Sequence, residues 1–264
     1  MSGKFKCIRL WWWIPFIIFA ACSPGNQIKV DSMNFDNQVD MYQNLEITFN
    51  HELAPDSLLN KWDSTQYLTL TPEIKGRFQW TSVSTLVFSP SVPFAPNTDY
   101  RMKINPVVSK YLTKRMETDE NDISFHTPYL SVERSQTYWG IDENNPGLAQ
   151  LRISLNFNHP VDINNVRKYV SVKIDNQPVL STLLTRENGN EMVFSIEAPG
   201  NDPSSKNLSV TISKGMSCIG SARVNPDNEI VELSFPNATG LKFQILLPIL
   251  KKEKGWFIYL PLSL

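Results

Sequence analysis

Two stretches of the chain repeat one pattern and decide the fold: Leu45-Glu-Ile-Thr-Phe-Asn-His51 and Ile153-Ser-Leu-Asn-Phe-Asn-His159. The apolar positions of the two stretches match, and the tripeptide Phe-Asn-His is identical. In each copy apolar and polar residues alternate with period two, which predicts a strand with one buried face. The copies are offset by roughly a hundred residues, about the size of one Ig-type sandwich. The repeat therefore predicts two tandem Ig-like β-sandwich domains.

The same strand pattern extends along most of the chain. Short segments rich in β-branched and aromatic residues are bounded by turn residues. Further strands are predicted at 67–71, 85–88, 100–104, 122–125, 170–174, 192–196 and 208–212. Single helical turns are predicted only at Asp56–Trp62, with Asp56 as N-cap, and at Ile163–Tyr169. The chain is predicted to be all-β, with cores built from Phe49, Trp80, Phe88, Tyr100, Phe157, Phe194 and Val210.

The N-terminus has the three parts of a secretory signal peptide. Residues 1–10 carry Lys4, Lys6 and Arg9 and no acidic residue, and an apolar block follows at 10–19. The block is roughly ten residues long, whereas a transmembrane helix needs about 20. Residues 1–21 are therefore predicted to be removed, with cleavage between Ala21 and Cys22.

Phe19-Ala-Ala-Cys22 resembles the lipobox of bacterial lipoproteins, in which the cysteine is acylated and becomes the first residue of the mature protein. Phe19 departs from the usual leucine, and simple cleavage or retention of the signal remains the alternative. The resemblance implies that Cys22 anchors the chain to a membrane of the bacterial cell envelope. Ser23 after the cysteine favours the outer membrane over another periplasm-facing membrane.

The remaining chain divides into a tether, two domains and a tail. Residues 22–34 are predicted to form the lipidated tether, 35–128 the first sandwich and 129–236 the second, with the boundary near Thr127-Pro128. Residues 237–264 form an atypical apolar tail interrupted by Pro248 and Pro261. The tail is either a hairpin packed on the second domain or the product of a truncation or a lost reading frame. The second interpretation is favoured, because exposed apolar residues are unusual at the end of a sandwich.

Charge and cysteine content exclude several functions. The net charge of −1 and the pI near 6.3 give no reason to expect nucleic acid as a partner. After processing, and with Cys22 acylated, Cys218 is the only free thiol, so an intramolecular disulfide or a cysteine zinc site is not expected. Cys218 is predicted to be a buried, inert cysteine.

No catalytic or metal-binding template fits the chain. His51 and His159 occupy equivalent places in the two repeats, which favours a role at the end of a strand, and His126 precedes Thr127. Residues 117–122 are rich in acidic and amide groups, and a solvated turn is favoured over a calcium site. We therefore expect no catalytic residue, no metal, no cofactor and no small-molecule substrate.

The order of the motifs resembles the bacterial Ig-like domain at the front of bacterial alpha-2-macroglobulins. The shared features are short segments in a fixed order: Leu45 to Leu53, Tyr67 to Pro72, Gly76 to Trp80, Thr85 to Pro90, Pro93 to Tyr100 and Phe125 to Thr127. The second repeat resembles the next domain of the same proteins. Together with the lipobox, the resemblance covers about Cys22 to Pro236.

The resemblance implies a non-enzymatic envelope lipoprotein, an N-terminal fragment of a protease-trapping protein with possible protein partners in the envelope. Members of the family use a bait region and a Cys-x-x-Gln thioester. Cys218 is followed by Ile219, Gly220 and Ser221, so the thioester motif is missing. The alternative is a surface lipoprotein that binds glycan or host matrix through Ig-like loops, which predicts exposed aromatics with Trp80 or Trp139 outside the core. A third hypothesis, an unrecognised hydrolase, would require convergent polar groups in one cleft.

Overall fold

The fold is built almost entirely from strands that alternate buried and exposed residues. The computed structural model describes residues 27–114, 116–118, 122–142, 149–197 and 206–236. One group of strands lies before residue 127: β1 Gln27–Ile28, β2 Val30–Met33, β3 Leu45–Phe49, β4 Trp62–Asp63, β5 Leu68–Thr71, β6 Gly76–Trp80, β7 Thr85–Pro90, β8 Asp99–Ile104, β9 Glu117–Thr118 and β10 Ile123–His126. These strands form the first sandwich.

The first sandwich has two main sheets. The strand orders are β2-β3-β7-β6-β4 in one sheet and β10-β8-β5 in the other, and β1 pairs in parallel with β9. All neighbours within the two main sheets are antiparallel. Alternate residues of β8 are buried and exposed, because successive side chains point to opposite faces of a strand. The buried faces of both sheets meet in one apolar core.

Aromatic side chains dominate the core of the first sandwich. The Tyr67 ring meets Trp80 edge-on, with centroids 5.5 Å apart, and Phe78 at 5.6 Å. Trp80 also contacts Phe49, with ring centroids 6.0 Å apart. Such edge-to-face pairs place the positive ring edge against the negative face of the neighbour. All four predicted core residues of this unit, Phe49, Trp80, Phe88 and Tyr100, are buried.

The second sandwich follows the same plan with longer strands. Its elements are β11 Val132–Ile141, β12 Ala149–Val161, α1 Ile163–Tyr169, β13 Val170–Ile174, β14 Gln177–Val179, β15 Ser181–Leu183, β16 Gly189–Glu197, β17 Leu208–Ile212 and β18 Glu229–Leu233. Two four-stranded sheets, in the orders β11-β12-β16-β15 and β14-β13-β17-β18, enclose a separate apolar core. The predicted core residues Phe157, Phe194 and Val210 lie in it.

The all-β prediction is confirmed, and the two copies of the repeat form equivalent strands, β3 and the middle of β12. The helix predicted at Ile163–Tyr169 is α1, and the Asp162 carboxylate caps it by accepting from the backbone N–H groups of Asn164 and Asn165. The other predicted turn is wrong in detail. Asp56–Leu58 is a 3-10 turn whose N-cap is Pro55, and Trp62 belongs to β4.

The first sandwich begins earlier than predicted. Residues 27–34 were expected to belong to the tether, but β1 and β2 lie within them. Ile28 is fully buried in the first core, so the domain starts at Gln27 and not at residue 35. The predicted boundary at residues 128–129 lies between the two cores, whose nearest buried members are Phe125 and Leu130.

Three predicted features lie outside the described residues: the signal peptide 1–21, the lipidation site Cys22 and the tail 237–264. In the part of the chain that the structure describes, none of the helices is long and apolar enough to cross a membrane.

Candidate functional site at the junction of the two sandwiches

The repeated asparagine of Phe-Asn-His holds the strand that enters each sandwich. The Asn50 side chain accepts from the N–H of Lys29 at 2.8 Å and donates to the carbonyl of Gln27 at 3.1 Å, and its own N–H donates to the Lys29 carbonyl at 3.1 Å. Asn158 makes the same three bonds, of 3.0, 2.6 and 3.1 Å, to the backbone of Tyr129 and Ser131. The repeat therefore encodes an equivalent structural clamp at the start of each domain.

The three histidines lie at or near strand ends: His51 follows β3, His126 is the last residue of β10, and His159 lies near the end of β12. His159 is buried, and its Nε2 lies 2.7 Å from the carbonyl oxygen of Pro128, to which it donates. His126 Nδ1 lies 2.9 Å from the carbonyl oxygen of Thr127. The Nε2 of His51 is buried without a hydrogen-bond partner among the described residues. Within the described ranges, no group of three His, Cys, Asp or Glu side chains is arranged to hold a metal ion.

Cys218 is a core residue of the second sandwich. Its side chain is buried beside Met216, and burial raises the pKa of its thiol. A raised pKa keeps the thiol protonated at neutral pH and therefore a weak nucleophile.

Among the described residues, Trp62, Trp80 and Trp139 do not form the exposed cluster that glycan or matrix binding predicts. Trp80 is 1% exposed and belongs to the first core. Trp139 is half-buried against the second core, and its indole N–H donates to the Pro236 carbonyl at 3.1 Å. The exposed tryptophan in the described chain is Trp62, with Arg77 over its ring at 5.5 Å.

The acidic segment 117–122 has only its ends in the described residues. Glu117 and Thr118 form β9, which pairs with β1. The predicted solvated turn is centred on residues 119–121, which lie outside the described ranges. A calcium site here has no support in the described residues.

A surface groove of about 430 Å³ opens at one end of the second sandwich. Its walls include Ile174, Val179 and Leu180, the polar residues Gln150 and Glu197, and the hydroxyl residues Thr182 and Ser195. Glu197 is the one ionisable side chain of this lining, so the groove holds no acid–base pair. The groove therefore has no support as an active site.

The richest set of polar contacts lies where the two sandwiches meet. The Tyr129 ring stacks on His126, with centroids 4.0 Å apart and planes 10° apart. The guanidinium carbon of Arg223, from the second sandwich, lies 3.8 Å from the centroid of the same Tyr129 ring. Asp99 in the first sandwich accepts from the Tyr129 hydroxyl at 2.6 Å and from Arg223 Nε at 3.1 Å. One aromatic ring thus joins charged groups of both domains.

Asp99 and Arg223 carry opposite charges and act on the pKa of Tyr129 in opposite directions. Burial raises the pKa of Tyr129, and its hydrogen bond to Asp99 raises it further, while Arg223 acts in the opposite direction. At neutral pH the phenol therefore stays protonated and donates to the carboxylate. The contacts bind one domain to the other and include no group placed to attack a substrate.

Sequence reasoning did not predict this junction. Asp99 lies in the motif Pro93 to Tyr100, which indicates a sandwich domain but no contact between domains. Arg223 lies in a stretch without hydrophobic periodicity, which predicts no element there. The one feature of the sequence that pointed to this junction was the predicted domain boundary near Thr127-Pro128, which His126 and Tyr129 flank.

Comparison with known proteins bears on the first sandwich most directly. Residues 26–127 match the family of bacterial Ig-like domains. A region of 149 residues is 26% identical to an alpha-2-macroglobulin of Pasteurella multocida (strain Pm70), covering 56% of this chain and 8% of that protein. A region of 144 residues is 27% identical to an alpha-2-macroglobulin homolog of Yersinia pestis, covering 53% of this chain and 7% of that protein. Over about half of its length the chain therefore resembles an Ig-like region of bacterial alpha-2-macroglobulins.

This Ig-like region corresponds to less than a tenth of the length of either relative. Among solved structures, an L,D-transpeptidase from Mycobacterium tuberculosis overlays with a TM-score of 0.26 at 11% identity, covering 80% of this chain and 77% of that one. At this TM-score the likeness supports no statement on activity.

Proposed function

We propose that this chain is a non-enzymatic lipoprotein of the bacterial cell envelope, anchored through Cys22. In this proposal it corresponds to the front of an alpha-2-macroglobulin-like protease-trapping protein and lacks the bait region and the thioester. Its two sandwiches position the chain above the membrane and offer surfaces to protein partners in the envelope.

The observation that carries the proposal is the family match of the first sandwich, together with the identity to two bacterial alpha-2-macroglobulins. The described side chains agree with a non-catalytic role. His159 holds the connection between the domains, Cys218 is buried, and the charged groups Asp99 and Arg223 are paired with each other.

The anchor is tested by radiolabelled palmitate incorporation and membrane fractionation of the full chain expressed in a Gram-negative host. We expect label in the wild-type protein and none in Cys22→Ser, which should also leave the membrane fraction. Cys218→Ser is the matched control, because it removes a buried thiol and should keep both label and membrane association. Label retained by Cys22→Ser would refute the anchor.

The absence of protease trapping is tested separately. The purified chain is incubated with trypsin or elastase and examined for covalent, denaturant-resistant adducts, with a thioester-containing alpha-2-macroglobulin as the positive control. We expect adducts only in the control, because Cys218 lacks the Gln partner that a thioester needs. An adduct that disappears in Cys218→Ser would overturn this part of the proposal.

A further inference from the structure

The short connection between the sandwiches, residues 128–131, has its backbone held from both sides. From the second sandwich, His159 Nε2 donates to the Pro128 carbonyl at 2.7 Å, and the Asn158 side chain bonds to the Tyr129 carbonyl and the Ser131 N–H. A flexible linker would leave these backbone groups to water. Here these backbone groups are hydrogen-bonded within the protein, which holds the connection in one conformation.

From the first sandwich, Asn97 binds the same connection. Its N–H donates to the Pro128 carbonyl at 3.2 Å, and its Oδ1 accepts from the Leu130 N–H at 3.2 Å. The Asn97 Nδ2 donates to Ser221 Oγ and to the Arg223 carbonyl, each at 3.1 Å, and the Ser221 hydroxyl lies 3.0 Å from the Asn97 carbonyl. The backbone and side-chain polar groups of Asn97 are therefore all used across the domain boundary.

The position of Asn97 suits this role. The residue is fully buried, and its backbone has a φ of 49°, a left-handed conformation that asparagine tolerates better than most residues. Turning one sandwich against the other would break several of its bonds at once, and a buried amide without partners is unfavourable.

The loop that reaches Asn97 is itself fixed in the second sandwich. Met216 and Cys218, just before it, are buried in the second core, and the Ile219 N–H donates to the Pro160 carbonyl at 2.9 Å. Ser221 and Arg223 therefore extend from a fixed base and not from a mobile loop. The domains are joined along two separate paths, the connection 128–131 and this loop.

We infer that Asn97 is the residue that locks the two sandwiches into one fixed relative orientation, so that they move as a single rigid arm. Relative motion is the default for domains joined by a small polar interface. In this protein the hydrogen bonds of Asn97 instead hold the two sandwiches in one relative orientation. The inference does not depend on the membrane anchor or on protease trapping.

The test is a distance measurement by pulsed electron paramagnetic resonance on the full chain in detergent. Spin labels are attached at Lys103→Cys and Glu187→Cys, both exposed positions in different sandwiches, in a background that carries Cys7→Ser and Cys22→Ser, while native Cys218 is buried. We expect one narrow distance distribution with Asn97 present, and a distribution about twofold wider in Asn97→Gly. Glycine tolerates the left-handed backbone, so this change removes the side chain alone.

Asn176→Gly is the matched control, because Asn176 also has a positive φ, of 64°, but lies in the turn between β13 and β14. It should keep the narrow distribution. A second variant, Ser221→Ala with Arg223→Ala, removes the Ser221 hydroxyl and the Arg223 guanidinium but keeps the bond from Asn97 Nδ2 to the Arg223 carbonyl, so it should widen the distribution less than Asn97→Gly does. A wide distribution in the labelled chain without junction substitutions, a narrow one in Asn97→Gly, or a wider one in the double variant than in Asn97→Gly would overturn the lock.

Discussion

The guanidinium carbon of Arg223 lies 3.8 Å from the centroid of the Tyr129 ring, although the two residues are 94 positions apart in the chain. The same guanidinium pairs with Asp99, whose side chain is 60% exposed. Because solvent screens an exposed ion pair, the stacking on Tyr129 is the larger part of this contact.

Replacing Arg223 with alanine should therefore lower the free energy of unfolding by about 1 kcal/mol. Added salt should reduce only the smaller part of this effect, which comes from Asp99. Urea unfolding followed by circular dichroism measures both. Arg77→Ala is the control, since Arg77 stands 5.5 Å from the half-exposed Trp62 and should change stability less.

Trp80→Ala should destabilise the first sandwich by about 3–5 kcal/mol, because it leaves a cavity among packed aromatic rings. Trp62→Ala, at a residue that is 48% exposed, should cost no more than about 1 kcal/mol. Chemical unfolding of the two variants makes the comparison. Equal losses would show that Trp80 is not the core residue described here.

Gly76 stands where β6 crosses the side chains of β7. A Cβ atom at this position would fall on the Phe88 ring and against the Ser89 carbonyl oxygen. Gly76→Ala should therefore cost about 1–3 kcal/mol through overpacking. At Gly189 a Cβ atom would meet nothing within 4 Å, so Gly189→Ala should be neutral or slightly stabilising. Thermal unfolding of the two variants and the wild type measures the difference.

Stability should fall in alkali through Tyr67. Burial, and after it the hydrogen bond to Asp63, raises the pKa of Tyr67 from its ordinary value of 10.0 to about 12. The folded state holds this proton more tightly than the unfolded state, so the contribution is complete below pH 10 and is lost as pH rises toward 12. The loss is roughly 3 kcal/mol at most.

The measurement is urea unfolding at a series of alkaline pH values for the wild type and Tyr67→Phe. Tyr100 and Tyr129 also have raised pKa values, but they titrate in both proteins. The difference between the two curves isolates Tyr67. Parallel curves would contradict the prediction.

Strands with a regular apolar face were predictable, whereas several edge strands, among them β2 and β11, were not. Leu45–Phe49 was found because Leu45, Ile47 and Phe49 all face the core. Val132–Ile141 escaped detection, because β11 is an edge strand with polar Thr137 on the side facing the core. Thr137 Oγ1 donates to the Ser234 carbonyl at 2.6 Å, so a distant segment of chain satisfies it.

The junction could not be predicted for a related reason. Hydrophobic periodicity reports burial within one domain, whereas Asn97 is buried by polar partners that come from another domain. The motif Pro93 to Tyr100 indicated a sandwich domain but gave no sign that Asn97 would contact Ser221 or Arg223, more than a hundred positions later.

Asn50 binds the backbone of Gln27, only a few residues after Cys22, and this would limit how far the first sandwich can lie from a membrane. With Cys22 acylated, as proposed, about five residues separate the lipid from the first hydrogen-bonded strand, and a chain spans at most about 3.5 Å per residue. The first sandwich is then confined to within roughly 18 Å of the headgroups, less than the roughly 30 Å width of a small domain. A tether this short would therefore keep the first sandwich next to the membrane surface.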